Sequence, residues 1–270
     1  MTRPSADRCA SDVRQAEFLH RLHHGSSPLV LPNVWDVESA RLVVEAGFPV
    51  VATSSSAVAA SLGFADQDVM SPDLAFAAIS RIAAAVSVPV TADIEAGYGL
   101  PPSEVVGRLV EAGAAGCNLE DSDHHGPGVL LDAEVHARRI AEVSAAATAV
   151  GAPIVINARV DVFIRELGPP EARVAEAVRR SRMYLDAGAS CVYPIGVTAE
   201  DDIRALVDQV GGPVNVWLRP DTPSLAELSR IGVARISLAR GIQRIASAVV
   251  QRALVALATG DSDRAFAQLD

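Results

Sequence analysis

The chain contains no lysine; all 23 of its basic residues are arginine. Schiff-base chemistry on a carbonyl substrate needs a lysine amine, so a lysine-dependent aldolase is excluded. Any enolate made here must be stabilised by a metal ion or by fixed donors. Cysteine is scarce. Cys9, Cys117 and Cys191 are an odd number without CxxC spacing, which argues against a disulfide framework or a structural zinc site. Long apolar runs are missing: none approaches the roughly 20 residues that span a bilayer. Residues Met1 to Leu19 carry scattered charges and no signal-peptide core. The default expectation is a cytoplasmic protein with no membrane partner. Positive charge is also in deficit, with a formal net charge of −10. That disfavours a nucleic-acid surface, but not a small anionic ligand, for which one local arginine and a cation suffice.

Half of the residues are apolar and only 4% are aromatic, an ordinary globular composition. Short apolar runs alternate with longer amphipathic segments. Strands are expected at Leu29–Asn33, Val50–Ser54, Val88–Ile94, Gly116–Glu120, Ile154–Arg159, Cys191–Ile195, Val214–Leu218 and Ala234–Leu238. Helices are expected near 37–46, 73–86, 103–112, 133–149, 170–187, 199–210, 223–231 and 241–258. The triplets Glu-Ala-Gly at 45–47 and 111–113 and Asp-Ala-Gly at 186–188 each precede a strand, where glycine suits a left-handed helix end. This strand–helix period predicts a (β/α)8 TIM barrel, with an open doubly wound sheet as the alternative. No Gly-rich dinucleotide loop follows the first strand, which favours the barrel. No linker divides the chain, so residues 1–270 read as one domain. The barrel core covers about 28–245, and residues 1–15 and 260–270 read as loose or oligomer-related arms.

Function in such a barrel gathers at the C-terminal strand ends. The segment Val90-Thr-Ala-Asp-Ile-Glu-Ala-Gly-Tyr-Gly99 brings Asp93 and Glu95 to one. Residues i and i+2 of a strand share a face, and two carboxylates that close repel unless a proton or cation separates them. A hard divalent cation fits oxygen ligands. Other strand ends carry Asn33, Trp35 and Asp36; Ser54, Ser55 and Ser56; Asn118, Glu120 and Asp121; Asn157, Arg159 and Asp161; Tyr193; Asn215 and Trp217; and Ser237. Each alone has a plain structural reading. The serines make a turn, Arg159 pairs with Glu120 or Asp161, the tryptophans pack, and His124 and His125 sit exposed in a Gly/Pro-rich loop. Their convergence on one barrel mouth points to a site.

The blocks LPNVWDVESARLVVEAGF, TSSSAVAASLGFAD, VPVTADIEAGYG, GCNLEDS and INARVDVF resemble, in order and spacing, those of the isocitrate lyase/phosphoenolpyruvate mutase superfamily. The resemblance implies a metal-dependent (β/α)8 barrel acting on α-keto or α-hydroxy carboxylates. It also implies a homo-oligomer, a dimer of dimers, whose last helix is exchanged between subunits. By resemblance, Asp93 holds Mg2+ (or Mn2+), with Glu95, Glu120 and Asp66 nearby, often through water. Ser54, Ser55 and Ser56 meet the substrate carboxylate, Gly97, Tyr98 and Gly99 shape the wall beside them, and Trp35 and Asn215 complete the substrate set. Arg159 binds a carboxylate or phosphoryl oxygen.

Departures matter as much. The lyase branch carries a Lys-Lys/Arg-Cys-Gly-His loop and the mutase branch a Lys and an Asn after its Glu-Asp-Lys. After Glu120-Asp121 this chain reads Ser-Asp-His-His-Gly-Pro-Gly-Val-Leu. Cys117 precedes the strand end and reads as buried. His124 or His125 is then the candidate proton donor. The leading expectation is a Mg2+-dependent carbon–carbon lyase or decarboxylase on a small α-keto or α-hydroxy di- or tricarboxylate, through a metal-stabilised enolate. The alternatives are carbon–phosphorus chemistry of the phosphoenolpyruvate mutase type, and a catalytically reduced α-keto-acid-binding protein.

Overall fold

The computed structural model describes residues 6–67, 69–124, 126 and 129–267. Its parallel strands are β1 (Leu29–Leu31), β2 (Asn33–Val34), β3 (Val51–Thr53), β4 (Val90–Asp93), β5 (Gly116–Glu120), β6 (Val155–Arg159), β7 (Cys191–Tyr193), β8 (Asn215–Trp217) and β9 (Arg235–Ser237). β1 and β2 are one strand interrupted at Pro32, which has no N–H to give to a ladder. One sheet runs β2-β3-β4-β5-β6-β7 and the other β1-β9-β8. Pairing of Val192 with Val214 joins β7 to β8. The ring therefore closes into the expected (β/α)8 TIM barrel.

Every expected strand is present, shorter by up to a few residues at its ends. The expected helices form as α2 (Val37–Glu45), α4 (Pro72–Ala84), α5 (Pro102–Ala112), α6 (Ala133–Ala149), α7 (Pro170–Asp186), α8 (Glu200–Val210), α9 (Leu225–Ile231) and α10 (Gly241–Ala258). Their starts are chemically specified. Asp36 closes a capping box on α2, and Ser71 caps α4 ahead of Pro72. Gly113 ends α5 at φ 81°, a left-handed conformation in which a side chain would be strained.

Three helices depart from the sequence expectation. α1 (Ala6–Leu22) lies where a loose arm was expected, and α11 (Ser262–Phe266) lies in the other arm. The apolar residues of α1 explain its order: Ala16 and Leu19 pack on Leu29, Val50, Ala115 and Val155, closing the N-terminal end of the barrel. The serine turn is the start of α3 (Ser55–Ser61), with Ser54 as its cap.

The main core lies between the strands and the outer helices, around Ile94, Leu109, Leu119, Ile140, Ile156 and Ile203. The barrel interior is polar. Asn157 donates to Asn118 Oδ1 at 2.8 Å, Asn215 to Ser237 Oγ at 3.1 Å, and the wholly buried Arg235 to Asn118 Oδ1 at 3.1 Å. α10 is the exception among the barrel helices. Gln243 in its first turn donates to the carbonyl of Ala57 at 2.9 Å, while Ile245, Val250, Leu254, Val255 and Leu257 further along stand exposed. Among the described residues, no helix is long and apolar enough to cross a membrane.

His136 on α6 is fully buried and meets Tyr184 edge-on, ring centroids 4.9 Å apart. Burial, reinforced by the charge of Arg139, lowers its pKa from 6.5 to about 3. The unfolded chain takes up this proton below about pH 6.5, whereas the folded protein resists until about pH 3. Its contribution is thus complete above that range and is lost as pH falls. The stability advantage of the wild type over His136→Phe should shrink by about 1 kcal/mol between about pH 7.5 and about pH 5.5. Urea unfolding of both proteins measures it; a constant difference would show that the folded state accepts the proton.

Candidate active site

β4 delivers Asp93 to the barrel mouth and fixes it there. Its N–H donates to Thr53 Oγ1 at 2.9 Å, while the N–H and hydroxyl of Ser55 donate to its Oδ2 at 3.0 and 2.8 Å. Its Oδ1 is buried and accepts no hydrogen bond. After Ile94 the chain turns sharply. Glu95 is buried at φ 52°, an uncommon conformation for a side-chain-bearing residue. The Glu120 N–H holds it by donating to the Glu95 carbonyl at 3.0 Å.

β5 and β6 supply the second half. Arg159 forms a fork to Asp161, with Nε to Oδ1 at 2.6 Å and Nη2 to Oδ2 at 2.7 Å, and its Nη1 pairs with Glu120 Oε2. Both structural pairings expected for Arg159 form at once. Burial alone would lower its pKa, but Asp161 and Glu120 outweigh that and raise it well above the ordinary value. Two of its five N–H bonds remain for a ligand. On the other oxygen of Glu120, His124 Nε2 lies 2.5 Å from Oε1. Burial pushes the Glu120 carboxyl up to about 7, with Arg159 opposing and Asp161 adding to the rise.

A supporting layer lies beneath. Ser122 donates to Asp161 Oδ2 at 2.5 Å, and the Asp161 N–H donates to Asp121 Oδ1 at 2.8 Å. Asp121 Oδ2 receives Tyr184 at 2.7 Å and Arg180 at 3.0 Å. Asp121, whose role the sequence left open, therefore anchors the floor of the site. Burial and the charge of Asp161 raise its pKa to about 6. Arg180 and Tyr184 were not singled out from the sequence, because nothing in a helix pattern marks a residue that reaches across to another strand end.

Two adjoining hollows open at the mouth. The larger, about 850 Å3, is lined by Ser54, Ser55, Ser56, Asp93, Asn118 and Tyr193 among others. The smaller, about 260 Å3, contains Glu95, Glu120, His124 and Arg165. Asp66, Arg159 and Ile164 line both. Asp66 comes from the loop after α3, and its pKa is raised by burial and by the charge of Asp93.

Several expected placements differ. His124 is not an exposed loop residue: its side chain is 4% exposed, because it folds back onto Glu120. His125 lies outside the described residues. Trp35 does not line the mouth; it borders a separate hollow with Leu62 and Ile82 and packs against the apolar cluster of Val58, Ala59, Met70, Ala75 and Ala78. Asn215 is fully buried on Ser237, inside the barrel. Gly97, Tyr98 and Gly99 form the turn beyond Glu95 and line neither hollow. Tyr98 packs edge-on against Phe76 at 6.2 Å between centroids. A side chain at Gly97 would meet the Arg139 guanidinium at 2.6 Å, so this glycine permits a close approach.

The donor set fits a hard divalent cation held lightly. Among the described residues no three His, Cys, Asp or Glu groups converge to enclose a metal. Asp93 nevertheless offers a fixed, buried oxygen without a hydrogen bond. Cations such as Mg2+ commonly use one or two carboxylates, several waters and the substrate itself.

The phosphoenolpyruvate phosphomutase family model matches residues 18–258. The chain is 40% identical to a protein of Burkholderia cenocepacia J2315 described as a phosphonomutase, with a TM-score of 0.83 over 90% of this chain and 99% of that one. It is 28% identical to 2,3-dimethylmalate lyase, with a TM-score of 0.80 over 91% and 87%. It is 32% identical to phosphonopyruvate hydrolase of Variovorax sp. (strain Pal2), over 72% of this chain and 70% of the relative. With the barrel, the mouth and these likenesses in agreement, the chain belongs to the phosphoenolpyruvate phosphomutase family, within the isocitrate lyase/phosphoenolpyruvate mutase superfamily of lyases and mutases.

Proposed function

We propose that the protein is a Mg2+-dependent carbon–carbon lyase or decarboxylase acting on a small α-keto or α-hydroxy di- or tricarboxylate. The observation that carries this reading is the pairing of Asp93, fixed by Ser55 with one buried oxygen left over, with Arg159 in the same cavity. Asp93 would hold the cation (Mn2+ is the nearest substitute), with Glu95, Glu120 and Asp66 acting on its water ligands. The bound cation supplies Lewis acidity at the oxygen where enolate charge develops.

The residues of the chain do the rest. Ser54 and Ser56, hydroxyl to hydroxyl at 3.1 Å, offer polar groups to the substrate carboxylate. Arg159 cannot swing away, since Asp161 and Glu120 hold it, so its remaining N–H donors are already aimed when charge develops. His124 carries the proton. Its link to Glu120 orients the ring, and its place at the smaller hollow with Arg159 supports that role. A second reading, cleavage or formation of a carbon–phosphorus bond, draws support from the similarity to a phosphonopyruvate hydrolase.

The exposed apolar face of α10 supports a homo-oligomer, a dimer of dimers, in which α10 lies on another copy. The helix meets its own barrel mainly through its first turn and leaves five large apolar residues in water.

Turnover is expected with Mg2+ in a screen of oxaloacetate, 2-methylisocitrate, isocitrate, malate-like acids and phosphonopyruvate, read by pyruvate or glyoxylate release. Asp93→Ala should lose at least about a hundredfold in kcat/KM; full activity in that variant would refute the metal role. His124→Asn should lower kcat by about 10² or more, and unchanged turnover in the double variant His124→Ala/His125→Ala would remove histidine from the mechanism. Light scattering should report a tetramer, and Val250→Glu/Leu254→Glu a smaller species; a monomeric wild type would overturn the assembly.

A further inference from the structure

The mouth is electrically lopsided. Acidic groups gather on the β4–β5 side. The opposite wall of the larger hollow is built by the loops after β8 and β9 and the start of α10, and it carries Arg219, Arg240 and Arg244 against a single acid, Asp221. In a chain with a net charge of −10, such a local excess of positive charge is not a by-product of composition.

Two of these guanidinium groups are held in place. Arg219 lies over the Trp217 ring, 4.8 Å from its centroid, with Nη2 to Asp221 Oδ2 at 2.8 Å. Trp217 is fixed in turn by its Nε1 donating to the Leu238 carbonyl at 3.3 Å. Arg240 Nε donates to Gln243 Oε1 at 3.0 Å, and the other end of that buried amide is tied to Ala57 on α3, beside the serines. Among the described residues, neither Arg240 nor Arg244 has a carboxylate within ion-pair distance, whereas Arg159 has two. Arg240 is thus oriented without a counter-ion, and Arg244 adds a second guanidinium without one; such groups suit a carboxylate or phosphonate.

We propose that Arg219, Arg240 and Arg244 form a second anion subsite, which selects α-oxy acids bearing a further carboxylate or phosphonate at the end remote from the metal. This inference rests on the reading that Asp93, the serines and Arg159 receive the α-oxyacid head. The head binds at the acidic side through the cation, and the distal anion spans the hollow to the arginine wall. Acids with an apolar tail would place that tail against unpaired guanidinium groups, which disfavours them. The subsite therefore sets substrate choice without taking part in bond cleavage.

Calorimetric binding to the Mg2+-loaded protein tests this at fixed ionic strength. Oxalate and 2-oxobutyrate serve as probes without a distal anion, 3,3-difluorooxaloacetate as the distal carboxylate and phosphonopyruvate as the distal phosphonate. The wild type should bind at least one of the last two about tenfold tighter than 2-oxobutyrate, and which one identifies the group recognised. Arg240→Gln/Arg244→Gln should abolish that preference while oxalate binding stays within about twofold, which also reports an intact fold. Arg219→Gln should weaken the same probe alone. Equal binding of all tail types by the wild type, or variants that change every probe alike or none, would overturn the subsite and leave the head-group reading standing. Absence of Mg2+-dependent oxalate binding in the wild type would overturn the head-group reading, and the subsite with it.

Discussion

Five carboxylates are brought to one end of one barrel, and most of them are taken out of water. Glu95, Glu120, Asp121 and Asp161 are buried, and Asp93 sits beside them. Two like charges about 4 Å apart oppose each other by roughly 4 kcal/mol at the effective dielectric of a protein surface. Such a cluster persists only with compensation. Arg159 answers Asp161 and Glu120, and Arg180 answers Asp121. That accounts for three acids with two guanidinium groups. Asp93 stands apart from these pairs and keeps a buried oxygen without a hydrogen bond among the described residues. Burial, with the charge of Asp161 adding to it, raises the pKa values of Glu120 and Asp121 despite Arg159 and Arg180. A divalent cation is the chemically economical remedy, because it relieves several carboxylates without needing to touch each one.

The polar barrel interior follows from the same demand. Side chains that hold a charged mouth in position must themselves be held. Asn33 shows how this is done: its amide donates to the Thr53 carbonyl at 2.8 Å, and its oxygen accepts from the Leu238 N–H at 2.9 Å. One side chain thereby ties the first strand to the ends of β3 and β9. Thr53 then receives the Asp93 N–H. Deeper in the barrel, Arg235 donates to Asn118, which also receives Asn157. An apolar interior would pack as well, but it could not pass orientation from strand to strand through directed bonds.

The strand–helix period was legible because buried parallel strands are short, apolar and evenly spaced, and it located all eight strands of the ring. Asp93, Glu120 and Arg159 were legible because they stand at strand ends in alternating positions. What was not legible depends on contacts remote in sequence. Nothing near residue 35 shows that Trp35 packs on the apolar cluster around α3 and α4, or that Asn215 lies below the mouth rather than in it. α1 looked like an arm because its order comes from the barrel floor it covers, and not from its own propensity. Arg219 stands two residues beyond Trp217, on the face that period-two reasoning assigns to the barrel. That signal was available, but an arginine past the end of a strand reads first as a solvated loop residue.

The loop after Asp121 is where this chain parts from the cysteine- and lysine-bearing pattern of its superfamily, and its geometry gives the difference a physical form. Residues 120 and 124 are four apart, yet no helix joins them. The segment turns because Ser122 is captured by Asp161 and pairs with Leu130, and because the Leu131 N–H donates to the Asp121 carbonyl at 2.8 Å. That turn brings His124 back onto Glu120. Glu120 thus faces Arg159 with one oxygen and His124 with the other. The carboxylate is kept in line by the guanidinium that, in the proposed reaction, also faces the substrate. In the proposed reaction, charge developing near Arg159 would change the field at Glu120, and through it at His124. One carboxylate thus links the guanidinium to the imidazole, a connection that a free loop histidine would lack.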